Sequence, residues 1–420
     1  MKSIYFLSFR LARLCKEANI AVGSRQEYQH WTIPLYSVPY LMKITTIPFN
    51  KPYLTGSETR YIKESVRSGK ISGDGIFTRK CSDFFEQRFG FYKALLTTSC
   101  TAALEMAALL LDLQAGDEVI MPSYTFVSTA NAFVLRGAKI VFADSTALNP
   151  NMDVASLESL VTPRTRAIVP MHYAGIACDM DGVRAVADRH GLAVVEDAAQ
   201  AIDSYYKGRP LGSLGELAAF SFHETKNIIS GEGGMLTINA PRFAERAEVI
   251  REKGTNRSAF FRGEVDKYNW VDIGSSYLPS DIIGAFLLAQ VEHLEAIQVR
   301  RRAIWQRYEQ GLASLRQQGV GLPNIPAYAT NNGHIFYLVC RGLAERTALI
   351  NTLKKAGISA VFHYLSLHRS PFYTKRHDGR PLPCADHYTD CLLRLPLYYE
   401  LNKTQQRRVI DAINQFYRGG

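Results

Sequence analysis

Ala218-Ala-Phe-Ser-Phe-His-Glu-Thr-Lys-Asn227 runs from a short apolar strand into a polar turn that holds a single lysine. Upstream, the apolar run Leu192-Ala-Val-Val-Glu-Asp197 ends in an acid. Two short apolar strands, each delivering one chemistry-bearing side chain at its carboxyl end, point to an open α/β sheet, in which ligands bind outside those ends. Gly231-Glu-Gly-Gly234, just downstream, permits tight backbone turns close to a ligand. It is not a nucleotide fingerprint: the chain contains no G-x-G-x-x-G, so a dinucleotide site has no support.

Working outward, short apolar strands alternate with helices. Glu58 to Ser68, Ser82 to Phe89, Thr101 to Leu113, Ser128 to Leu135 and Met180 to Arg189 read as helices. Ala94 to Thr98, Glu118 to Met121, Lys139 to Phe142, Ala167 to Pro170, Ala193 to Val195 and Ala218 to Phe222 read as strands. That alternation predicts a mostly parallel sheet covered on both faces. After Tyr277-Leu-Pro279 a long helical region is expected over 279–316, with Pro279 at its start and Asp281 near its positive end. Beyond the loop Gly321-Leu-Pro-Asn-Ile-Pro326 come a strand at Ile335 to Val339, a helix from Glu345 to Ala356 and a strand near Ser359 to Tyr364, which read as a smaller α+β domain. The expected division is an extension over 1–41, a large domain over 42–290 and a small domain over 291–420.

The chain has 420 residues, 47% apolar and 21% charged, the balance of an ordinary globular protein with ample core. Its seven scattered cysteines show no paired short spacing, which argues for reduced thiols, a cytoplasmic location and neither a disulfide frame nor a metal site. The net charge is +10. Clusters such as Arg300-Arg301-Arg302 and Lys375-Arg376 read as solvated faces or as steering charge for an anionic substrate. They lack an interleaved aromatic platform, which excludes nucleic acid, and no apolar run reaches the ~18 residues of a membrane helix. Met1 to Leu41 is a poor signal sequence, since Arg10 and Arg13 interrupt its apolar start. It reads as an upstream extension before Met42, with intact mass of protein from the native gene as the test.

Lys226 and Asp197 together suit pyridoxal phosphate. A lysine amine condenses with the cofactor aldehyde, and a carboxylate pairs with the protonated ring nitrogen so that the ring draws electrons. Thr97-Thr-Ser-Cys-Thr101, joining a strand to a helix, offers hydroxyls and helix N-terminal N–H groups to a phosphate, although such a turn also caps an ordinary helix. In Pro122-Ser-Tyr-Thr-Phe-Val-Ser128, Phe126 is placed to stack on a flat ring or to fill the core. Gln200 would share a face with Asp197 if a helix starts between them. Ser221 offers a further phosphate donor. His363 and His368, in Phe362-His-Tyr-Leu-Ser-Leu-His368, are weak candidates for substrate contact.

Thr98-Ser-Cys-Thr-Ala102, Pro122 to Phe126, Val195-Glu-Asp-Ala-Ala-Gln200, Ser221 to Asn227 and Gly231 to Gly234 occur in the order found in the DegT/DnrJ/EryC1/StrS sugar aminotransferases, which the chain resembles from about residue 47 to 417. The resemblance implies a pyridoxal-phosphate transferase of fold type I, with a seven-stranded, mostly parallel sheet and a small C-terminal α+β domain. It implies Lys226 as the cofactor-linking lysine, Asp197 as the ring-nitrogen partner and Gln200 near the ring hydroxyl. It further implies Thr101, Ala102 and Ser221 as phosphate contacts and Phe126 as the stacking ring. Ser72-Gly-Asp-Gly75, Phe222-His-Glu-Thr-Lys226 and Arg251-Glu-Lys-Gly-Thr-Asn-Arg-Ser258 look most like the dTDP-4-dehydro-6-deoxyglucose 4-aminotransferases, with glutamate as donor and a surface glycan of the enterobacterial common antigen type as destination. The family is usually homodimeric, with a phosphate contact crossing between subunits near Tyr277. Many members carry Asn there, whereas this chain reads Gly274-Ser-Ser-Tyr-Leu278 and offers Ser276 instead. Other nucleotide-sugar 3- or 4-aminotransferases, a dehydratase of the same fold and a non-catalytic cofactor-binding regulator remain open; the dehydratases carry His where Lys226 stands.

Overall fold

The computed structural model describes residues 46–419, so the extension over 1–41 lies outside the described residues. Seven strands build the main sheet: β1 (Lys93–Thr97), β2 (Glu118–Pro122), β3 (Lys139–Ala143), β4 (Thr165–Ile168), β5 (Ala193–Asp197), β6 (Leu217–Ser221) and β7 (Gly234–Ile238). Their order is β1-β7-β6-β5-β4-β2-β3. Only β7 runs against its neighbours. This is the expected mostly parallel seven-stranded α/β sheet, with an antiparallel β7 that the apolar runs alone did not distinguish.

Strand alternation sorts the sheet into two cores. Leu96, Ile120, Ile168, Val194, Ala218 and Met235 face one side, against helices Ile76–Phe89, Met180–His190 and Asp281–Val291. Leu95, Val119, Ala167, Val195, Ala219 and Leu236 face the other, against helices Cys100–Leu110, Val127–Val134 and Ala244–Arg251. A buried Phe such as Phe85 or Phe220 contributes roughly 1.5–3 kcal/mol to this arrangement. The second core side carries the ligand-facing end of the sheet. There the register sets Thr97 and Ser221 on either side of Gly234.

Helix boundaries differ from expectation where tertiary contacts complete a cap. The helix read as Ser82 to Phe89 starts at Ile76. Gly75, its N-cap residue, has no side chain to offer, and the cap comes from Asp281, whose Oδ1 accepts from the N–H and the hydroxyl of Thr78, both at 2.8 Å. A Cβ on Gly75 would lie 2.3 Å from that carboxylate. Asp281 therefore serves a neighbouring helix as well as standing in the first turn of its own. The single long helix expected over 279–316 is two helices, Asp281–Val291 and Leu294–Leu312, separated by a bend of 60° into the second. Pro279 precedes the N-cap Ser280 and lies outside the helix. Among the described residues, no single helix is long and apolar enough to cross a membrane.

A three-stranded antiparallel sheet follows: β8 (Phe336–Val339), β9 (Val361–Phe362) and β10 (Leu392–Leu395), with β10 in the centre. The strand expected near Ser359 to Tyr364 keeps only two residues, and Tyr364 adopts φ 36°. Phe336, Leu338, Leu393 and Leu395 pack against helices Leu294–Leu312, Leu343–Lys355 and Lys403–Arg418, while Tyr337 and Leu392 turn the other way, onto the core of the main sheet. This small sheet is the expected C-terminal α+β layer.

Candidate functional site

The two sheets meet around a cavity of about 780 Å³. Lys226, Asp197, Gln200, Ser221, Thr101, Phe126 and His363 all line it. The lysine turn is fixed from behind. Asn227 donates to Gln298 Oε1 at 2.8 Å and to the Asn332 carbonyl at 2.9 Å, and its Oδ1 pairs with His334 Nδ1 at 2.8 Å. Ile228 and Ile229 are buried beside it. With its neighbours anchored, Lys226 lines the cavity. Burial pulls the amine below its ordinary pKa and the charge of Arg394 adds to this, while Cys100 and Asp197 oppose it.

Asp197 sits at the end of β5, buried. Its Oδ2 accepts from the Thr129 hydroxyl at 2.6 Å and its Oδ1 from the Ala199 N–H at 3.1 Å. Thr129 is held in turn by Thr125, 2.8 Å between hydroxyls. No helix begins after Asp197; the chain turns, and Gln200 reaches the cavity by that turn instead. Gln200 Oε1 accepts from the Ala174 N–H at 2.6 Å and its Nε2 donates to the Tyr364 hydroxyl at 2.9 Å. Phe126 is the N-cap residue of helix Val127–Val134, with 54% of its surface open and its ring 6.1 Å from that of Tyr364.

Opposite lies the N-terminus of helix Cys100–Leu110. Ser99 caps it through a 3.0 Å bond from Ala102 N–H, and Gly234 makes room for the turn, since a Cβ there would lie 2.2 Å from the Ser99 carbonyl carbon. The N–H groups of Cys100 and Thr101, ahead of the capped Ala102, are the ones left for an anion. The Thr101 hydroxyl donates to Ser128 at 2.8 Å. This donor set, with an aromatic ring, a buried carboxylate and a lysine whose pKa burial lowers, fits pyridoxal phosphate.

Three residues named from the sequence do not line this cavity. Ala102 does not line the cavity, and its N–H is taken by Ser99 Oγ because the turn caps itself. His368 is buried outside the cavity, where Ser123 Oγ meets its Nδ1 at 2.7 Å; it ties the C-terminal layer to the loop after β2 and has no access to a substrate. Ser276 is exposed and away from this cavity, in an isolated bridge with Glu252. His363 does line the cavity, stacked on Tyr364 at 3.5 Å, with its Nδ1 2.7 Å from the Tyr173 hydroxyl. Burial holds it neutral, well below the ordinary histidine range.

Sequence reading missed Phe49, His334, Tyr364 and Arg394, which complete the wall. Arg394 had a signal: it interrupts the apolar run Cys391-Leu-Leu-Arg-Leu395. The others carry none, because they enter from segments distant in sequence.

Residues 52–414 match the model of the DegT/DnrJ/EryC1/StrS aminotransferase family. Solved structures share the fold along most of their length. DesV from S. venezuelae, in complex with ketimine intermediate, is 32% identical, with 88% of this chain and 98% of that one covered and a TM-score of 0.81. Spr1654 from Streptococcus pneumoniae in its PLP-form is 26% identical over 89% of this chain and 99% of that one, with a TM-score of 0.82. The sugar aminotransferase CalS13 from Micromonospora echinospora is 25% identical over 88% and 99%, with a TM-score of 0.81.

Proposed function

This chain belongs to the DegT/DnrJ/EryC1/StrS aminotransferase family, and on that premise we propose that it moves the amino group of L-glutamate to a nucleotide-linked 4-keto-6-deoxysugar. It is an enzyme, a sugar aminotransferase dependent on pyridoxal phosphate. The substrate we assign is dTDP-4-dehydro-6-deoxy-D-glucose. The product is dTDP-4-amino-4,6-dideoxy-D-galactose, destined for a surface glycan of the enterobacterial common antigen type. The observation that carries this reading is the convergence of Lys226, Asp197, Gln200 and Phe126 on one cavity. Support for the 4-amino product comes from the segments Ser72 to Gly75 and Arg251 to Ser258, which touch: Arg251, 4% exposed, pairs with Asp74 at 2.7 Å.

Bound pyridoxal phosphate supplies an aldehyde that carries nitrogen and a ring that withdraws electrons. Asp197 would hold positive charge at the ring nitrogen, and Thr129 fixes the direction of that carboxylate. Phe126 would cover a ring face. Thr101, Ser221 and the helix N-terminus would hold the phosphate. Lys226 Nζ would anchor the aldehyde and, once released, would move a proton between the donor Cα and the former aldehyde carbon, on the other side of the nitrogen being transferred. Burial lowers its pKa from the ordinary lysine value, the direction that favours an amine able to accept a proton. Both substrates use the same cavity in turn, which predicts ping-pong kinetics.

We place the enzyme in the cytoplasm as a homodimer, with the loop at Ser276 serving the site of the second subunit; its exposure away from its own cavity supports this. Incubation with glutamate and a panel of nucleotide ketosugars, with NMR of the product, tests the assignment. A 4-amino sugar of galacto configuration is expected. A 3-amino product, or dehydration without amination, overturns it.

A further inference from the structure

His334, two residues ahead of β8, has its ring proton placed by the hydrogen bonds around it. Its backbone is clamped: the N–H donates to Asn332 Oδ1 at 3.0 Å, and the carbonyl accepts from Arg301 at 2.7 Å. A backbone N–H only donates, so Oδ1 of Asn332 is fixed as an acceptor. Its Nδ2 then donates to the carbonyls of Gln200 and Ile202, at 2.8 and 2.9 Å. The next amide is fixed in the same way. Asn227 Nδ2 meets the Asn332 carbonyl at 2.9 Å, and a carbonyl only accepts, so the atom of Asn227 that lies 2.8 Å from His334 Nδ1 is its oxygen. An amide oxygen has no proton to give. His334 Nδ1 therefore carries the ring proton and donates it to Asn227.

Burial keeps the ring neutral, and the charges of Lys226, Arg301 and Arg394 push the same way. A neutral imidazole protonated at Nδ1 leaves a bare lone pair at Nε2. Among the described residues nothing bonds that Nε2, and it is not one of the polar atoms sealed from solvent without a partner. His334 is 5% exposed and lines the cavity, so the lone pair opens onto it. The reacting centre is close by, because Asn227, which holds the ring, adjoins Lys226. A lone pair selects a donor. The carboxylates of glutamate bring only acceptor oxygens, which Nε2 repels. The ketosugar brings hydroxyls. With its C4 at Lys226, the flanking ring carbons are C5, which carries the methyl group, and C3, which carries a hydroxyl.

We propose that His334 Nε2 accepts a hydrogen bond from the C3 hydroxyl of the sugar and so makes that hydroxyl a condition of tight binding. This rests on the nucleotide-ketosugar reading above. His334→Asn is the informative variant: its amide N–H can keep the bond to Asn227, while nothing replaces Nε2. The probes are dTDP-4-amino-4,6-dideoxygalactose and its 3-deoxy counterpart, titrated into cofactor-loaded enzyme. The wild type is expected to bind the hydroxylated sugar about thirtyfold more tightly than the 3-deoxy sugar. His334→Asn should bind the two within about twofold of each other, with its affinity for the 3-deoxy sugar that of the wild type. His334→Gln, whose amide reaches the place of Nε2, should recover part of the preference. Glutamate alone should convert the cofactor at the wild-type rate in His334→Asn, followed by absorbance in a single turnover. Nitrogen NMR of the wild-type imidazole should show the proton on Nδ1, a readout that stands even where a variant does not fold. A wild type that binds both sugars equally or neither, a preference retained in His334→Asn, equal weakening of both sugars, a slowed reaction with glutamate, or a proton on Nε2 overturns the proposal. If the wild type prefers the hydroxylated sugar but aminates no ketosugar, the proposed function falls while the contact stands.

Discussion

Glu196 and Asp197 are neighbours on β5, yet strand geometry sends them to opposite faces of one sheet. The Glu196 face is closed. Its carboxylate, fully buried, accepts from the N–H groups of Gly212, Leu214 and Gly215 at 2.7–2.8 Å and meets His172 Nε2 at 2.9 Å. The Cys178 N–H donates to His172 Nδ1, which leaves the imidazole proton on Nε2, aimed at Glu196. Burial alone would raise the Glu196 pKa, but His172 and these backbone donors outweigh it and hold it below the ordinary range. The Asp197 face is open. Two donors orient its carboxylate and the rest points into the cavity. A saturated acid stabilises the fold; an acid with capacity to spare is available to a ligand.

That contrast can be broken by substitution. The largest effect on chemistry is expected at Lys226→Ala, which should reduce amination to background and leave no borohydride-trapped cofactor on residue 226; more than trace turnover contradicts its role. Asp197→Asn should follow, with turnover lower by about a hundredfold or more and an unfolding midpoint near that of the wild type. Glu196→Gln should do the reverse, losing about 3–5 kcal/mol of stability in denaturant titration while the folded fraction keeps turning over. If Glu196→Gln destroys turnover at full stability, or Asp197→Asn unfolds the chain, the two faces do not divide the labour.

Acid sharpens the same point. Because the folded Glu196 pKa is depressed, its contribution is fully present above the unfolded carboxylate value and is lost as pH falls through the folded one. The wild type should therefore lose stability more steeply than Glu196→Gln below about pH 4.3. Parallel acid unfolding curves would contradict this. The smallest effect is expected at Thr129→Val, which removes one bond to Asp197 and should lower turnover about tenfold with little change in stability.

Asp197 and Ser221 were legible in the linear chain because each ends its own strand, and a strand end in a parallel sheet is a fixed address. Lys226 and Thr101 were legible because each lies in the short segment that follows such a strand. Ala102 was named only through the resemblance, and the linear chain does not show that Ser99 accepts from its N–H. His368 lies outside the cavity because it comes six residues past the short strand Val361–Phe362, and Ser123 draws it inward.

The sequence by itself determined the alternation of strands and helices, the lysine turn and the acid that faces it, because these depend on local period and on residues at element ends. Only the tertiary structure decided that Asp281 caps the helix at Ile76, that β7 runs antiparallel, and that Phe49, Tyr364 and Arg394 close the cavity. The cap and the cavity wall depend on segments far apart in the chain meeting in space. Burial then sets the value of each charge, and no reading along the chain supplies burial.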